Sequence, residues 1–361
     1  MINNKSSDNI LYSTALIAVI IGVIVFICLA VFLVGKELLS PFILAPLPSS
    51  TPNAITVTEP SVIPEDYSKD ITSIIQILQQ ENPPSMLVAY SYESGPYTFL
   101  RNGPEGLEID IIHEFEQRWF KGRSKIVFQG IGVDDRVPQA NLGKYDFVVG
   151  AISRTNDRCG LDNTTYKLIC TDTVHMRDKT SVMLNPSDSL VSFDSLDEFC
   201  SFFYGKKVGF LQSTTSEKTV VDNQKKLYDC PENVFLQVKD NRQSVVRAVA
   251  QKEIAGYFTD GAILRFYAND FLGQTQVVDF SNVVSNLAIE EYTFLLPENY
   301  LGLRQLMDNT LQAMICDGTL ANIYKKYSKY IELSFSTPPM IGQQTCKDLP
   351  DLDIYPFIKK R

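Results

Sequence analysis

The sequence predicts an α/β fold with mostly parallel sheets, preceded by one N-terminal transmembrane helix. Three observations carry this. From about residue 70 onward, short apolar runs alternate with stretches of helical periodicity, the pattern of strands and amphipathic helices in turn. An apolar block near the start, Ile10 to Gly35, contains no charged residue. Outside that block lie six cysteines, with no CxxC among them and only two histidines in the chain, which favours disulfides over zinc and places the bulk of the protein in an oxidising compartment.

The N-terminal elements come first. Residues 1–9 read as a short tail and 10–35 as a membrane anchor, whose core from Ala15 to Val34 is nearly all Ile, Val, Leu, Ala and Phe. A helix needs about 20 apolar residues to span the hydrocarbon of a bilayer, and this block exceeds that. A cleavable signal peptide has a shorter apolar region followed by a small-x-small site, and Lys36-Glu37-Leu38-Leu39 offers none. Ile27 before Cys28 argues against a lipoprotein site. The expectation is an uncleaved anchor, although Lys5, Asp8, Lys36 and Glu37 are too sparse to orient it. Residues 36–68 carry Pro41, Pro46, Pro48, Pro52, Pro60 and Pro64, and read as an extended, semi-rigid tether.

Beyond the tether, Met86–Tyr90 reads as a strand followed by a turn at Glu93-Ser94-Gly95-Pro96. Asp110 is expected to open a helix with Ile111, Ile112, Phe115 and Trp119 on one face. Ile126–Gln129, Tyr145–Ala151, Val208–Leu211 and Ala255–Thr259 read as further strands. Helices are expected after Gln212-Ser213-Thr214-Thr215-Ser216-Glu217, around Val245–Ala250, and around Leu303–Ile315. The net charge of −9 argues against nucleic acid or anionic lipid as an electrostatic partner, and no motif calls for a cofactor or metal. The six cysteines leave their connectivity open. Sequential pairing, Cys159 with Cys170, Cys200 with Cys230 and Cys316 with Cys346, is the simplest because each pair closes one modest loop.

In α/β sheets ligands sit beyond the carboxyl ends of strands, often at helix N-termini. Three polar clusters stand there: Gly150 to Arg158, Ser213 to Ser216, and Phe258-Thr259-Asp260. A free amino acid presents a carboxylate and an ammonium two bonds apart. Arg158 can supply a planar cationic fork for the first, Ser153 and Thr215 hydroxyl donors, and Asp260 an acid for the second.

The chain from about Pro84 to Tyr330 resembles the family 3 extracellular solute-binding proteins, the branch that captures polar amino acids for uptake. Five segments carry the resemblance in order: Pro96-Tyr97-Thr98-Phe99 with Gly106 to Asp110; Arg136-Val137-Pro138 through Gly143 to Asp146; Ala151 to Arg158; Val208 to Glu217; and Asp317-Gly318-Thr319-Leu320-Ala321 through Tyr327. It implies a two-lobed, periplasmic-binding-protein-like fold that closes about a hinge, with 69–175 and 288–361 as the first lobe and 176–287 as the second. By the same resemblance, Arg158 grips the ligand carboxylate, Ser153 and Thr215 bond its main-chain groups, and Asp260 pairs with its amine. Ala151, Ser213, Tyr97 and Tyr92 are further candidate ligand contacts, Tyr97 being as compatible with core packing. The implied partners are a free amino acid, an ABC permease, and the membrane through the N-terminal helix, with the binding domain on the extracytoplasmic side.

The sequence departs from the family pattern at Ser94 and Val133, where aromatics are usual, and at Ser213, where glycine is usual. Extra sequence between Arg158 and Asp172 carries Cys159 and Cys170, and His175 reads as a packed hinge residue. The same fold serves ionotropic glutamate receptors, but no stretch from Thr180 to Asn286 approaches membrane-spanning length. Two rivals remain. One is a sensory module that signals through a partner, since only about Met1 to Asp8 is left for the cytoplasm. The other is a dehydratase-type enzyme, disfavoured because the clusters contain no nucleophile–base pair.

Overall fold

The structure is a computed structural model that describes residues 70–161, 166–188, 192–222, 227–228, 230, 235–239, 241–284 and 289–336. The expected tail, membrane helix and tether lie outside the described residues. Among the described residues no helix is long and apolar enough to cross a membrane.

Helix α1 (Ile71–Leu78) starts at Asp70, whose carboxylate accepts from Ser73 N at 3.1 Å, and buries Ile74, Ile75 and Leu78. Strand β1 (Met86–Ser91) leads into a small antiparallel sheet of β2 (Glu93–Ser94), β3 (Thr98–Leu100) and β4 (Pro104–Glu105). Then come α2 (Leu107–Trp119), β5 (Ile126–Ile131), α3 (Arg136–Asn141), β6 (Phe147–Ser153) and β7 (Leu168–Cys170). The nine-residue β8 (Met176–Leu184) carries the chain into the second lobe. That lobe contains α4 (Leu196–Phe203), β9 (Lys207–Leu211), α5 (Thr215–Asp222), β10 (Phe235–Lys239), α6 (Arg242–Ala250), β11 (Gly256–Asp260), α7 (Gly261–Ala268) and β12 (Gln276–Val278). The equally long β13 (Ile289–Pro297) returns to the first lobe, which ends in α8 (Leu301–Cys316), α9 (Thr319–Lys326) and the single turn α10 (Leu333–Ser336).

The strands form one path, β10-β9-β11-β8-β13-β6-β1-β5, with β12 added to β8 and β7 to β13. Mostly parallel pairing is expected, and it describes the outer strands of each lobe: β5 and β6 flank β1, and β10 and β11 flank β9, all parallel. The two crossing strands add antiparallel pairs. Met176–Lys179 of β8 run against Ile289–Tyr292 of β13, after which each strand turns to its own lobe, β8 to β11 and β13 to β6. A chain that leaves a lobe and comes back must run both ways through the junction, so the sheet is mixed there for a topological reason.

Helix α2 begins three residues before the expected Asp110. Leu107 N donates to Pro96 O at 3.0 Å and Glu108 N to Tyr97 O at 2.9 Å, so carbonyls of the preceding turn satisfy N–H groups that otherwise need a side-chain cap. Gly106 holds the approach at φ 133°, and a Cβ there would collide with Tyr97 O. The pattern-based expectation missed this start because the partners are backbone groups eleven residues upstream.

Packing differs between the lobes. The first has a core of Ile111, Phe115, Trp119, Phe147 and Phe294, in which Trp119 Nε1 donates to Thr310 Oγ1 at 2.9 Å. The second packs rings on rings: Phe193, Phe199, Phe203, Phe258 and Phe280 are all fully buried, with Phe199 and Phe280 stacked at 4.9 Å between centroids. Cys200 and Cys230 form a disulfide beside this cluster, and Cys159 and Cys170 a second in the first lobe. Cys316 is disulfide-bonded too, while Cys346, its expected partner, lies outside the described residues.

The Cys200–Cys230 bond joins positions 30 residues apart, across a segment that connects α4 to β10. Cross-linking a loop of that length restricts the unfolded chain by about 3.6 kcal/mol. Replacing both residues by Ala should lower the unfolding free energy by about 2–4 kcal/mol in urea titrations.

Candidate functional site

The junction of β8 and β13 concentrates charge. Asp178 and Glu290 are direct neighbours across the β8–β13 ladder, and Asp260 stands opposite Thr180 on the β8–β11 ladder. Side chains directly opposite share a face, and residues two apart share it too, so all three carboxylates are on one side of the sheet. All are buried. Like charges so placed repel, and their neighbours show how the cluster is held. Asp178 accepts from the Tyr97 hydroxyl at 2.8 Å and from Ala262 N at 2.9 Å, at the first turn of α7. Glu290 accepts the Thr215 hydroxyl at 2.8 Å, and the Ser153 hydroxyl also favours its charged form. Asp260 is favoured as an anion by the nearby Tyr292 hydroxyl and by the guanidiniums of Arg242, Arg136 and Arg158.

These favourable contacts do not restore ordinary acidity. Burial and the Asp260 charge push Glu290 up to about 7 and Asp178 up to about 6, and burial raises Asp260 as well. The three titrate as a group, because each proton taken up relieves its neighbours. On the cationic side, burial depresses Arg158, while burial and the charges of Arg158 and Arg242 lower Arg136 to about 9.

The residues singled out from sequence take up different places around this cluster. Arg158, in the loop after β6, reaches across the cleft: its guanidinium donates to Ser213 O of the second lobe at 3.2 Å and makes a long 3.5 Å contact to Ser153 O. Among the described residues it has no ion pair within 4.0 Å. A cavity of about 210 Å³ adjoins it, lined by Asp134, Arg158 and Tyr166 from one lobe and Ser213, Thr214 and Lys218 from the other. Asp157 and Lys218 close its rim at 3.0 Å. Thr215 opens α5, and Ser153 ends β6, so the structure brings Arg158, Ser153, Thr215 and Asp260 to one junction.

The remaining candidates are more constrained. Ala151 sits at φ 54° with its N–H on Glu108 and its C=O on Arg136 at 3.0 Å, which leaves that residue no free backbone donor for a ligand. Ser213 also adopts a left-handed backbone, φ 61°, with its N–H on Glu217 at 2.7 Å and its carbonyl accepting from Arg158. Tyr97 is fully buried, its ring 4.8 Å from that of Tyr292 and its hydroxyl committed to Asp178. These contacts are those of a core residue. Tyr92 is half-buried on the first-lobe rim, beside Glu93, Asp134 and Asp135, whose charges raise its pKa after burial does. His175 is buried at the crossover, bonded to Glu108 at 3.0 Å and stacked 4.3 Å from Phe294.

Sequence reasoning missed Glu290, Asp178, Tyr292, Arg136 and Arg242. A signal existed for the acids: each interrupts a long strand-like run, Glu290 in Ile289–Pro297 and Asp178 in Met176–Leu184. An acid in the interior of a buried strand is rare enough to mark a site. Arg136 and Arg242 lie on helices, where a basic residue carries no such signal. Among the described residues no group of His, Cys, Asp and Glu is arranged to hold a metal ion.

Residues 86–330 match the family model for bacterial extracellular solute-binding proteins, family 3, and the chain belongs to that family. Solved structures agree on the fold. An ancestral arginine-binding protein bound to glutamine is 20% identical with a TM-score of 0.55, covering 68% of this chain and 99% of its own. A solute receptor for L-cysteine of Neisseria gonorrhoeae is 15% identical at a TM-score of 0.58, covering 75% and 100%. An ancestral amino acid-binding protein, a precursor of cyclohexadienyl dehydratase, is 20% identical at 0.54, covering 67% and 95%. No curated protein matches the chain in sequence.

The raised acids fix a pH dependence of stability. Glu290 and Asp178 hold protons in the folded chain at pH values where an unfolded chain has lost them, so raising the pH from about 4.5 to 7 favours unfolding. Without added ligand, the melting temperature should fall across that window. Glu290→Gln should remove part of the slope, stabilising the protein by about 1–3 kcal/mol at pH 8 and little at pH 5. Thermal melts of both proteins across the range measure it.

Proposed function

We propose that this chain is a membrane-anchored, extracytoplasmic binding protein that captures a free amino acid between two closing lobes and presents it to an ABC permease. The supporting observation is the junction itself. Arg158 comes from one lobe with its guanidinium free of any carboxylate within 4.0 Å among the described residues, and Asp260 ends β11 in the other, close enough for its charge to act on that guanidinium. A zwitterion offers a carboxylate to the guanidinium and an ammonium to the acid, so that each lobe holds one of its ends. Ligand contacts are then complete only in the closed form, so binding favours closure. The names of several structural neighbours refer to amino acids or amino acid ABC transporters, in line with this ligand class.

The proposed organisation is a tail at 1–9, an anchor at 10–35, a tether at 36–68, a first lobe of 69–175 with 288–361, and a second lobe of 176–287. The proposed activity is binding without catalysis: Asp178 and Glu290 are engaged by hydrogen bonds.

Arg158→Ala tests the reading. Removing the guanidinium that spans the two lobes should weaken amino-acid binding by about 2–5 kcal/mol, from tens-fold to thousands-fold in Kd. Titration calorimetry against the amino acid selected by a thermal-shift screen measures it, and unchanged affinity removes Arg158 from the site.

A further inference from the structure

The groups nominated to grip a ligand carboxylate already face one. Thr215 donates its hydroxyl to Glu290 Oε1 at 2.8 Å, the Ser153 hydroxyl favours the same carboxylate, and Glu290 leads the acids whose charge acts on Arg158. These groups come from the start of α5, the end of β6 and the loop beyond it. We propose that Glu290 is a built-in occupant of the ligand's carboxylate seat, that an amino acid binds by displacing it, and that it thereby sets which ligands the cleft accepts. The inference rests on the amino-acid reading above.

Its surroundings make displacement feasible. Glu290 is fixed by the β8–β13 ladder only through its backbone, opposite Asp178, and its side chain has three rotatable bonds. The groups facing it are Asp178 from β8, Tyr292 from its own strand, Arg158 and Ser153 from the β6 end, Thr215 from α5, Asp260 from β11, and Tyr228. Two of these are acids that disfavour its charge, so the hydroxyl donors and the guanidinium are what hold it as an anion. A ligand carboxylate that takes those donors leaves Glu290 beside Asp260 and Asp178 without compensation. The side chain then swings away or takes up a proton. Among the described residues Arg158 meanwhile bonds carbonyls, at 3.2 and 3.5 Å, and exchanges them for a carboxylate at a net gain.

The seat therefore discriminates between an amino acid and the amine made by deleting its carboxylate. The amine uses Asp260 but does not compete for the seat, so Glu290 hinders the first and not the second. Glu290→Ala and the conservative Glu290→Gln, in the full-length chain, separate the cases, with folding checked by thermal melts. After a screen of the twenty amino acids, calorimetric titrations compare arginine with agmatine, lysine with cadaverine and histidine with histamine. Glu290→Ala should tighten amino-acid binding about tenfold or more, Glu290→Gln by less, and both should leave the amine within about threefold. Amino-acid affinity unchanged or weakened in both variants overturns the proposal, as does an equal gain for the amine. In those cases a loss in Arg158→Ala still leaves the amino-acid reading standing. If no amino acid binds any of the four proteins, that reading fails and this one with it.

Discussion

Three carboxylates on one face of a strand crossing are the constraint around which the rest of the molecule is arranged. Asp178, Glu290 and Asp260 are imposed by register, since opposite residues of a ladder cannot point apart. Left alone, the repulsion and desolvation would be prohibitive. The chain counters them from several elements: Tyr97 and the first turn of α7 hold Asp178, Thr215 and Ser153 hold Glu290, and the charges of three guanidiniums favour the Asp260 anion. Each compensating group belongs to a different element. The relative placement of those elements is therefore coupled to the charge state at the crossing.

A second buried charge set stiffens the approach to that crossing. Glu108 on α2 accepts from Gly150 N at 2.6 Å and from Ala151 N, and bonds His175 at 3.0 Å. Arg136 on α3 donates to the carbonyls of Gly150 and Ala151. The backbone at the end of β6, where Ala151 is held at φ 54°, is thus clamped by an acid on one side and a guanidinium on the other. Ser153 and Arg158 follow directly after this clamp. Their position is set by the first lobe's core, and the ring-packed second lobe presents Thr215 and Asp260 from separate helix and strand ends. The two lobes are joined through the pair of crossing strands, β8 and β13.

Much of this was legible in the sequence, and the parts that were not have a common cause. Strand-helix alternation, the polar segments at strand ends and the cysteine count all act locally, so β1, β5, β6, β9 and β11 and the four residues Arg158, Ser153, Thr215 and Asp260 could be found from patterns. What escaped was long-range. The start of α2 depends on Pro96 and Tyr97 carbonyls, and Glu290 matters because β13 meets β8 more than a hundred residues upstream. Ala151 reads as a ligand contact by its position in a motif, yet its N–H is already taken by Glu108. A pattern states where a residue stands along the chain. It does not state which other residue has claimed its donors.

That limit also explains why an acid in the cleft is compatible with a binding function. An interior that must bind a zwitterion reversibly has to offer a guanidinium and an acid without letting them neutralise each other. Direct pairing of Arg158 with Asp260 would close the cleft on itself. Here three guanidiniums favour the charge of Asp260 without an ion pair to it among the described residues, and the hydrogen bonds of Arg158 there go to carbonyls, which are weaker partners than carboxylates. Glu290 then lies between the two extremes, near enough to moderate the field at Arg158 but engaged by hydroxyls. The arrangement keeps both halves of a charge pair buried and incompletely satisfied, which is the condition under which a small charged molecule can do better than the protein's own side chains.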